Sequence, residues 1–295
     1  MSVKNQTKCN WPTSLDRRLK WNRIIIVPNE VFALPVDDKT PWYERDEFWE
    51  RFGQVMFSEQ RLDMTIEEVD KIIEILEISA EDEILDLCCG IGRHSNEFAR
   101  RGYKVTGVDR TKSYLEIAKG TAKNEGLSTE FMEMDMREFV RENSFDIVLS
   151  MFTSFGYFDD DSQQVTVLEN VYKSLRPGGR FIIDVMGKEI LARIYQEADW
   201  NEEHYGIYLA RRKPIDDWGK FHNTWILIAK DGTRHEWIVT HYIYSATELK
   251  SLLRSVGFED VRAYGGLDGS QYDNSAKRLT VIGVKREGEA TADLL

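Results

Sequence analysis

Ile84-Leu85-Asp86-Leu87-Cys88-Cys89-Gly90-Ile91-Gly92 runs into Arg93 to Arg101 and then into Tyr103-Lys104-Val105-Thr106-Gly107-Val108-Asp109. The first apolar run predicts a buried strand, the glycines a turn, and residues 93–101 a helix. The second apolar run predicts another strand, which ends at Asp109. Strand, glycine turn, helix and strand in this order open a nucleotide-binding α/β sheet. Glycine lets the backbone approach a ligand where a Cβ would collide. Asp109 stands near the distance, about 20 residues past the turn, at which a strand-end acid accepts hydrogen bonds from ribose hydroxyls.

The turn departs from the dinucleotide pattern G-x-G-x-x-G. Ser95 stands where that pattern has its third glycine, the one used for close helix–strand packing. Asp86 lies four residues before Gly90, aimed into the ligand crevice. A carboxylate there repels a pyrophosphate and suits a ligand with a cationic amino group. S-adenosylmethionine, a sulfonium with an α-ammonium group and no phosphate, is such a ligand, and S-adenosylhomocysteine is the product left after methyl transfer.

The alternation continues outward. Strands are expected at Lys104–Val108, Thr129–Met132 (ending near Asp135), Phe145–Ser150 and Phe181–Val185, with helices near 113–125 and 163–175. Arg176-Pro177-Gly178-Gly179 reads as the stop of the last of these helices. The pattern implies a doubly wound, Rossmann-like sheet of seven mostly parallel strands, with ligands at the strands' carboxyl ends. Before it, Trp42–Phe57 and Thr65–Leu76 have helical spacing, and Thr65 with Glu68 fits a capping box. Residues 187–245 break the pattern with a short helix (Glu189–Glu197) and three β-like runs, Tyr205–Arg212, Phe221–Ala229 and Glu236–Tyr244, the last two joined at Asp231-Gly232. The expected division is an N-terminal extension and cap helix (1–64), a cofactor-binding core (65–186), an antiparallel β insertion acting as a lid (187–245), the remainder of the core sheet (246–285) and a tail (286–295). Ile24–Val27 reads either as an edge strand or as packing on the core.

The chain has 295 residues, 42% hydrophobic and 31% charged, with a net charge of −12. That balance disfavours nucleic acid as a partner. No apolar run approaches the ~18 residues of a membrane span. The polar start, Met1 to Trp11, lacks the apolar core of a signal peptide, so the expected location is cytoplasmic, with no membrane partner. Three cysteines, two of them adjacent, form neither a disulfide framework nor a metal site. Cys88 and Cys89 read as small residues lining the cofactor loop.

The ordered motifs Asp86-Leu87-Cys88-Cys89-Gly90-Ile91-Gly92-Arg93, Val105-Thr106-Gly107-Val108-Asp109, Asp135-Met136 and Leu175-Arg176-Pro177-Gly178-Gly179 resemble those of the class I S-adenosylmethionine-dependent methyltransferases. The likeness covers about residues 65–285. Thr153-Ser154-Phe155-Gly156-Tyr157-Phe158 and Gly265-Gly266-Leu267-Asp268-Gly269 are similar to a small-molecule-type subgroup with a β insertion before the sixth strand. The resemblance implies that Gly90 and Gly92 pass under the methionine part and ribose, and that Asp109 holds the ribose hydroxyls. It further implies that Arg110 lies against the adenine, that Asp135 accepts from the adenine amino group, and that the Met136 amide meets the ring. Ser150, through its carbonyl, and Asp86 would hold the α-ammonium group. Arg61 or Arg93 would hold the carboxylate.

The expected reaction is methyl transfer to nitrogen or oxygen of a small molecule, an amine among the candidates, by a monomer or homodimer. Tyr157 and His241 are the candidate bases. Aromatics of the insertion (Trp218, Trp225, Trp237, Tyr242, Tyr244) alternate with polar residues and serve either as packing or as a substrate pocket. A nicotinamide-dependent oxidoreductase, a non-enzymatic S-adenosylmethionine-binding protein and an RNA or protein methyltransferase are the alternatives.

Overall fold

The computed structural model describes residues 40–286. The Ile24–Val27 run and nearly all of the expected tail lie outside the described residues. A 3₁₀ turn (Trp42–Glu44) leads into α1 (Asp46–Met56), α2 (Glu59–Asp63) and α3 (Thr65–Leu76). The repeating unit follows as β1 (Glu83–Leu87), α4 (Arg93–Arg100), β2 (Lys104–Asp109), α5 (Lys112–Glu125), β3 (Thr129–Glu133), β4 (Phe145–Ser150), α6 (Asp161–Ser174) and β5 (Leu175–Val185). After α7 (Lys188–Arg193) come β6 (Ala198–Glu203), β7 (Gly206–Ile215), β8 (Lys220–Ala229) and β9 (Arg234–Tyr242). The chain then returns to the core with α8 (Ala246–Val256), β10 (Phe258–Tyr264) and β11 (Leu279–Lys285).

The core sheet has seven strands in the order β10-β11-β5-β4-β1-β2-β3. It is parallel from β3 to β5, and β11 runs antiparallel to both β5 and β10. Both faces are covered, which is why the central strands are almost wholly apolar. Alternation then sorts their side chains. Leu85, Leu87, Val148, Phe181 and Ile183 pack with α6 and α8, whereas Ile84, Ile147, Leu149 and Ile182 pack with α3 and Phe98 of α4.

The second sheet, β6-β7-β8-β9, is antiparallel, as the fold expectation had it, but it holds four strands rather than three. The additional strand, β6, is Ala-Asp-Trp-Asn-Glu-Glu, exposed throughout. Its polar composition gives no alternating apolar signal, and the register with β7 makes it a strand. One face of this sheet meets α1, with Phe48, Phe52, Leu227 and Val239 forming a separate small core flanked by Trp225 and Trp237.

Two local expectations change. Thr65 is the first residue of α3, not its N-cap, and makes no cap bond: the Glu68 amide bonds the Met64 carbonyl, and the Glu68 carboxylate binds Arg93 and His94. The capping box is at Ser245 and Glu248, before α8. The Arg176–Gly179 segment does not separate α6 from β5 but is a bulge inside β5. Phe145 pairs with Leu175, while Ile147, two residues on, pairs with Arg180.

Candidate active site

The carboxyl ends of β1, β2 and β4 open into one cavity with about 970 Å³ of unfilled space, open solvent included. Its floor comes from the core: Asp86, Cys88, Cys89, Gly90, Arg93, Asp109, Arg110, Asp135 and Met136 all line it. Its roof comes from the 3₁₀ turn, α1 and the loop after β4, which contribute Tyr43, Trp49, Phe57, Phe152, Tyr157 and Phe158. The structure thus brings eight of the expected site residues to the wall: Asp86, Gly90, Arg93, Asp109, Arg110, Asp135, Met136 and Tyr157. Gly92, Ser150, Arg61 and His241 are not among the lining residues.

Each floor residue has a local reason for its place. Ser95 donates to Asp86 at 2.6 Å, and Asp86 is only 2% exposed. The serine that replaces the dinucleotide glycine therefore orients the carboxylate beside the turn. Gly90 has φ of +56°, and a Cβ there would lie 2.8 Å from the Phe57 ring. Gly92 has another use. It precedes α4 with φ of +73°, and its Cβ would strike Ala118 at 2.7 Å, so it sets the packing of α4 on α5. Asp109 accepts from the amides of Gly90 and Thr111, each at 2.8 Å. Burial pushes its carboxyl above the usual range, against the pull of those two donors.

Asp135 is enclosed, which disfavours its charge, yet Arg137 binds both of its oxygens and holds the carboxyl below the usual range. Arg137 also reaches Glu44 at 2.7 Å. Arg110 does not lie free against the cavity. It donates to the carbonyls of Tyr43 and Glu44, each at 3.0 Å, and to Asp46 at 3.2 Å. Both arginines therefore latch the roof to the strand ends. Tyr114 adds a third tie through its hydroxyl to the Trp49 carbonyl, and the Trp42 indole donates to Thr240 of β9 at 2.9 Å. Of the roof residues only Tyr157 was legible as a site residue; Tyr43, Trp49 and Phe57 signal only an apolar helix face.

Arg93 and Arg61 behave differently. Arg93 is bound by Glu68 and Thr65. Arg61 lies 3.4 Å over the Phe152 ring, and its buried Nε has no acceptor among the described residues. Burial, with the charges of Arg93 and Arg278, lowers its pKa to about 10. Burial raises both cysteine thiols well above their ordinary range, so neither is a nucleophile at neutral pH. Among the described residues no group of three or more His, Cys, Asp or Glu side chains is placed to hold a metal. No helix of the described residues is long and apolar enough to cross a membrane.

The candidate bases do not suit that role. Burial pushes the Tyr157 phenol far above its ordinary range, so it stays protonated. His241 keeps some exposed surface, but its imidazole is enclosed, and this lowers its pKa to about 4. It is neutral at pH 7 and a weak base.

Residues 84–179 match the family model described as "Methyltransferase domain". The chain is 30% identical over 193 residues to a demethylmenaquinone methyltransferase of Lactococcus lactis, an alignment spanning 62% of this chain and 69% of that protein. The chain belongs to the class I S-adenosylmethionine-dependent methyltransferases. Solved members share the fold of this methyltransferase. One from Clostridium acetobutylicum superposes with a TM-score of 0.67 at 15% identity, over 82% of this chain and 99% of that one. The sugar N-methyltransferase KedS8 from Streptoalloteichus superposes with a TM-score of 0.58 at 18% identity, over 83% and 94%. S-adenosylmethionine is the cofactor of this methyltransferase, and the fold it was expected to have is the one observed.

Proposed function

We propose that this methyltransferase moves a methyl group to a nitrogen of a small-molecule amine by in-line displacement, with oxygen acceptors as the second choice. The observation that carries the reading is the cavity itself, where an acidic strand-end floor and an aromatic roof share one space. Aromatic faces attract cations and amines, and the KedS8 relative is named for sugar N-methylation.

The floor fits the cofactor. When bound, S-adenosylmethionine supplies a methyl group already activated on sulfur. Asp109 would accept from the ribose hydroxyls, and Asp86, turned by Ser95, would face the α-ammonium group. Asp135, Met136 and Arg110 would border the adenine, and Ser150 would offer its carbonyl at the end of β4. The carboxylate would fall on the Arg61 and Arg93 side. Arg93 is already neutralised by Glu68, and Arg61 keeps a buried N–H with no acceptor among the described residues.

The residues around the acceptor orient it and exclude water. Tyr157, kept protonated, donates a hydrogen bond or presents its ring. An amine attacks as the free base and releases its extra proton to solvent, so His241 is not required as a base. In this reading α1 and the insertion of residues 187–245 act together as the lid.

Calorimetry with S-adenosylhomocysteine and NADH tests the site, with Asp109→Ala as control. The expected result is micromolar affinity for the first, a loss of ~100-fold or more in the variant, and no binding of NADH. An acceptor screen that starts with small amines and phenols then tests the substrate class. Turnover of phenols but no amine would overturn the nitrogen assignment.

A further inference from the structure

The loop after β4 holds a conformation that its own residues disfavour. Phe152 and Thr153 have φ of 60° and 64°. This is the left-handed region, which side chains rarely adopt and a β-branched residue least of all. Such a conformation persists only where the surroundings over-determine it.

The surroundings here are specific. The Thr153 amide donates to the Asp184 carbonyl at 2.8 Å. Its Oγ1 accepts from Arg278 Nη2 at 3.1 Å and from the Met186 amide at 3.3 Å. Arg278 grips the Asp184 carboxylate at 3.0 Å through Nε and at 2.5 Å through Nη2. Thr280 donates to the same carboxylate at 3.2 Å, and Asp184 is 5% exposed. None of Asp184, Arg278 and Thr280 lines the cavity.

The far side of this loop does. It delivers Met151, Phe152, Ser154, Tyr157 and Phe158 to the cavity wall. The sheet itself has no need of the ion pair, because β5 and β11 are already paired by their backbones from Leu279–Val185 to Val284–Arg180. What the pair adds is the hold on Thr153.

We propose that Asp184 and Arg278 are positioning residues, which lock the loop after β4 in its left-handed form and so set the cavity wall against which the cofactor lies. The proposal rests on the cofactor placement given above. It predicts a coupling. The clamp is needed because residue 153 carries a side chain, and a glycine there would adopt φ > 0 unaided.

The test is calorimetric binding of S-adenosylhomocysteine, with the melting temperature of each protein measured in parallel. The proteins are wild type, Thr153→Val, Arg278→Lys, Asp184→Asn, Thr153→Gly and the Asp184→Asn/Thr153→Gly double variant. Thr153→Val keeps shape and removes only the hydroxyl, and Arg278→Lys keeps the charge but loses the fork. Each of these and Asp184→Asn should weaken binding by about tenfold. Asp184→Asn should cost no more than about threefold on the Thr153→Gly background. Equal costs on both backgrounds, or lower melting temperatures with unchanged affinity, would overturn the proposal. Should Asp184→Asn fail to fold, Thr153→Val and Arg278→Lys decide it alone. Wild type that does not bind would instead overturn the cofactor placement.

Discussion

The floor of the cavity and its roof place their side chains by different means. On the floor, Asp86, Asp109 and Asp135 sit at or just past strand ends and take hydrogen bonds from close neighbours in sequence: Ser95, Thr111 and Arg137. On the roof, rings hold rings. Trp42 packs against Tyr157 at 5.0 Å and Phe48 against Trp49 at 5.0 Å, and Phe52 meets Trp225 at 5.6 Å. The floor is therefore set by local backbone geometry, which one segment encodes. The roof exists only once residues 42–57, the loop after β4 and the insertion have met.

The largest effect should come from breaking the roof. Phe52 is fully buried between α1 and the second sheet, so Phe52→Ala should cost about 3–5 kcal/mol in a denaturant titration. A loss under ~1 kcal/mol would mean that the roof folds apart from the floor.

Next is an acid transition behind the floor. Burial alone would raise Glu68, but the bonds from His94 and Arg93 outweigh it and bring its pKa to about 2. A depressed carboxyl stabilises the fold above its unfolded value and loses that contribution as pH falls toward the folded one. Wild type should lose up to about 3 kcal/mol between roughly pH 4.5 and pH 2 through this group, and Glu68→Gln should lack that component. Identical pH profiles for the two proteins would remove Glu68 from the account.

Arg110→Ala removes one of the ties between roof and floor, those of Arg137 and Tyr114 remaining, and leaves both sets of rings in place. Its expected effect is about tenfold faster release of S-adenosylhomocysteine in stopped-flow, with the melting temperature within a few degrees of wild type. The smallest effect belongs to Tyr157→Phe. Since the phenol stays protonated, turnover of an amine should change by no more than about threefold and keep its pH profile. Loss of the rise in rate with pH, which reports an essential base, would restore Tyr157 to that role.

The same contrast explains what the sequence made legible. The Gly90 turn, Asp109 and the alternation of strand and helix are local signals, and the seven-stranded sheet follows from them. Ser95 was visible only as a missing glycine, since its bond to Asp86 needs the α4 helix formed. Gly92 belongs to the same motif as Gly90, yet its neighbours are Ala118 and Phe131, whose approach no spacing rule encodes. Arg110 was placed by adjacency to Asp109, but the carbonyls it binds are more than 60 residues away. β6 has no apolar period to detect, because among the described residues nothing covers either of its faces.

That outer strand also governs how the molecule meets its neighbours in a crowded solution. One side of β6 pairs with β7, and no other strand of the described residues pairs along its opposite side, where a row of backbone amides and carbonyls would otherwise invite strand-on-strand polymerisation. Glu202 and Glu203 place two carboxylates along that border, while Asp199 is paired with Arg212 at 2.9 Å. Two copies approaching edge to edge must bring these charges together, so the insertion carries its own electrostatic guard against fibre growth. High salt or acid would weaken it.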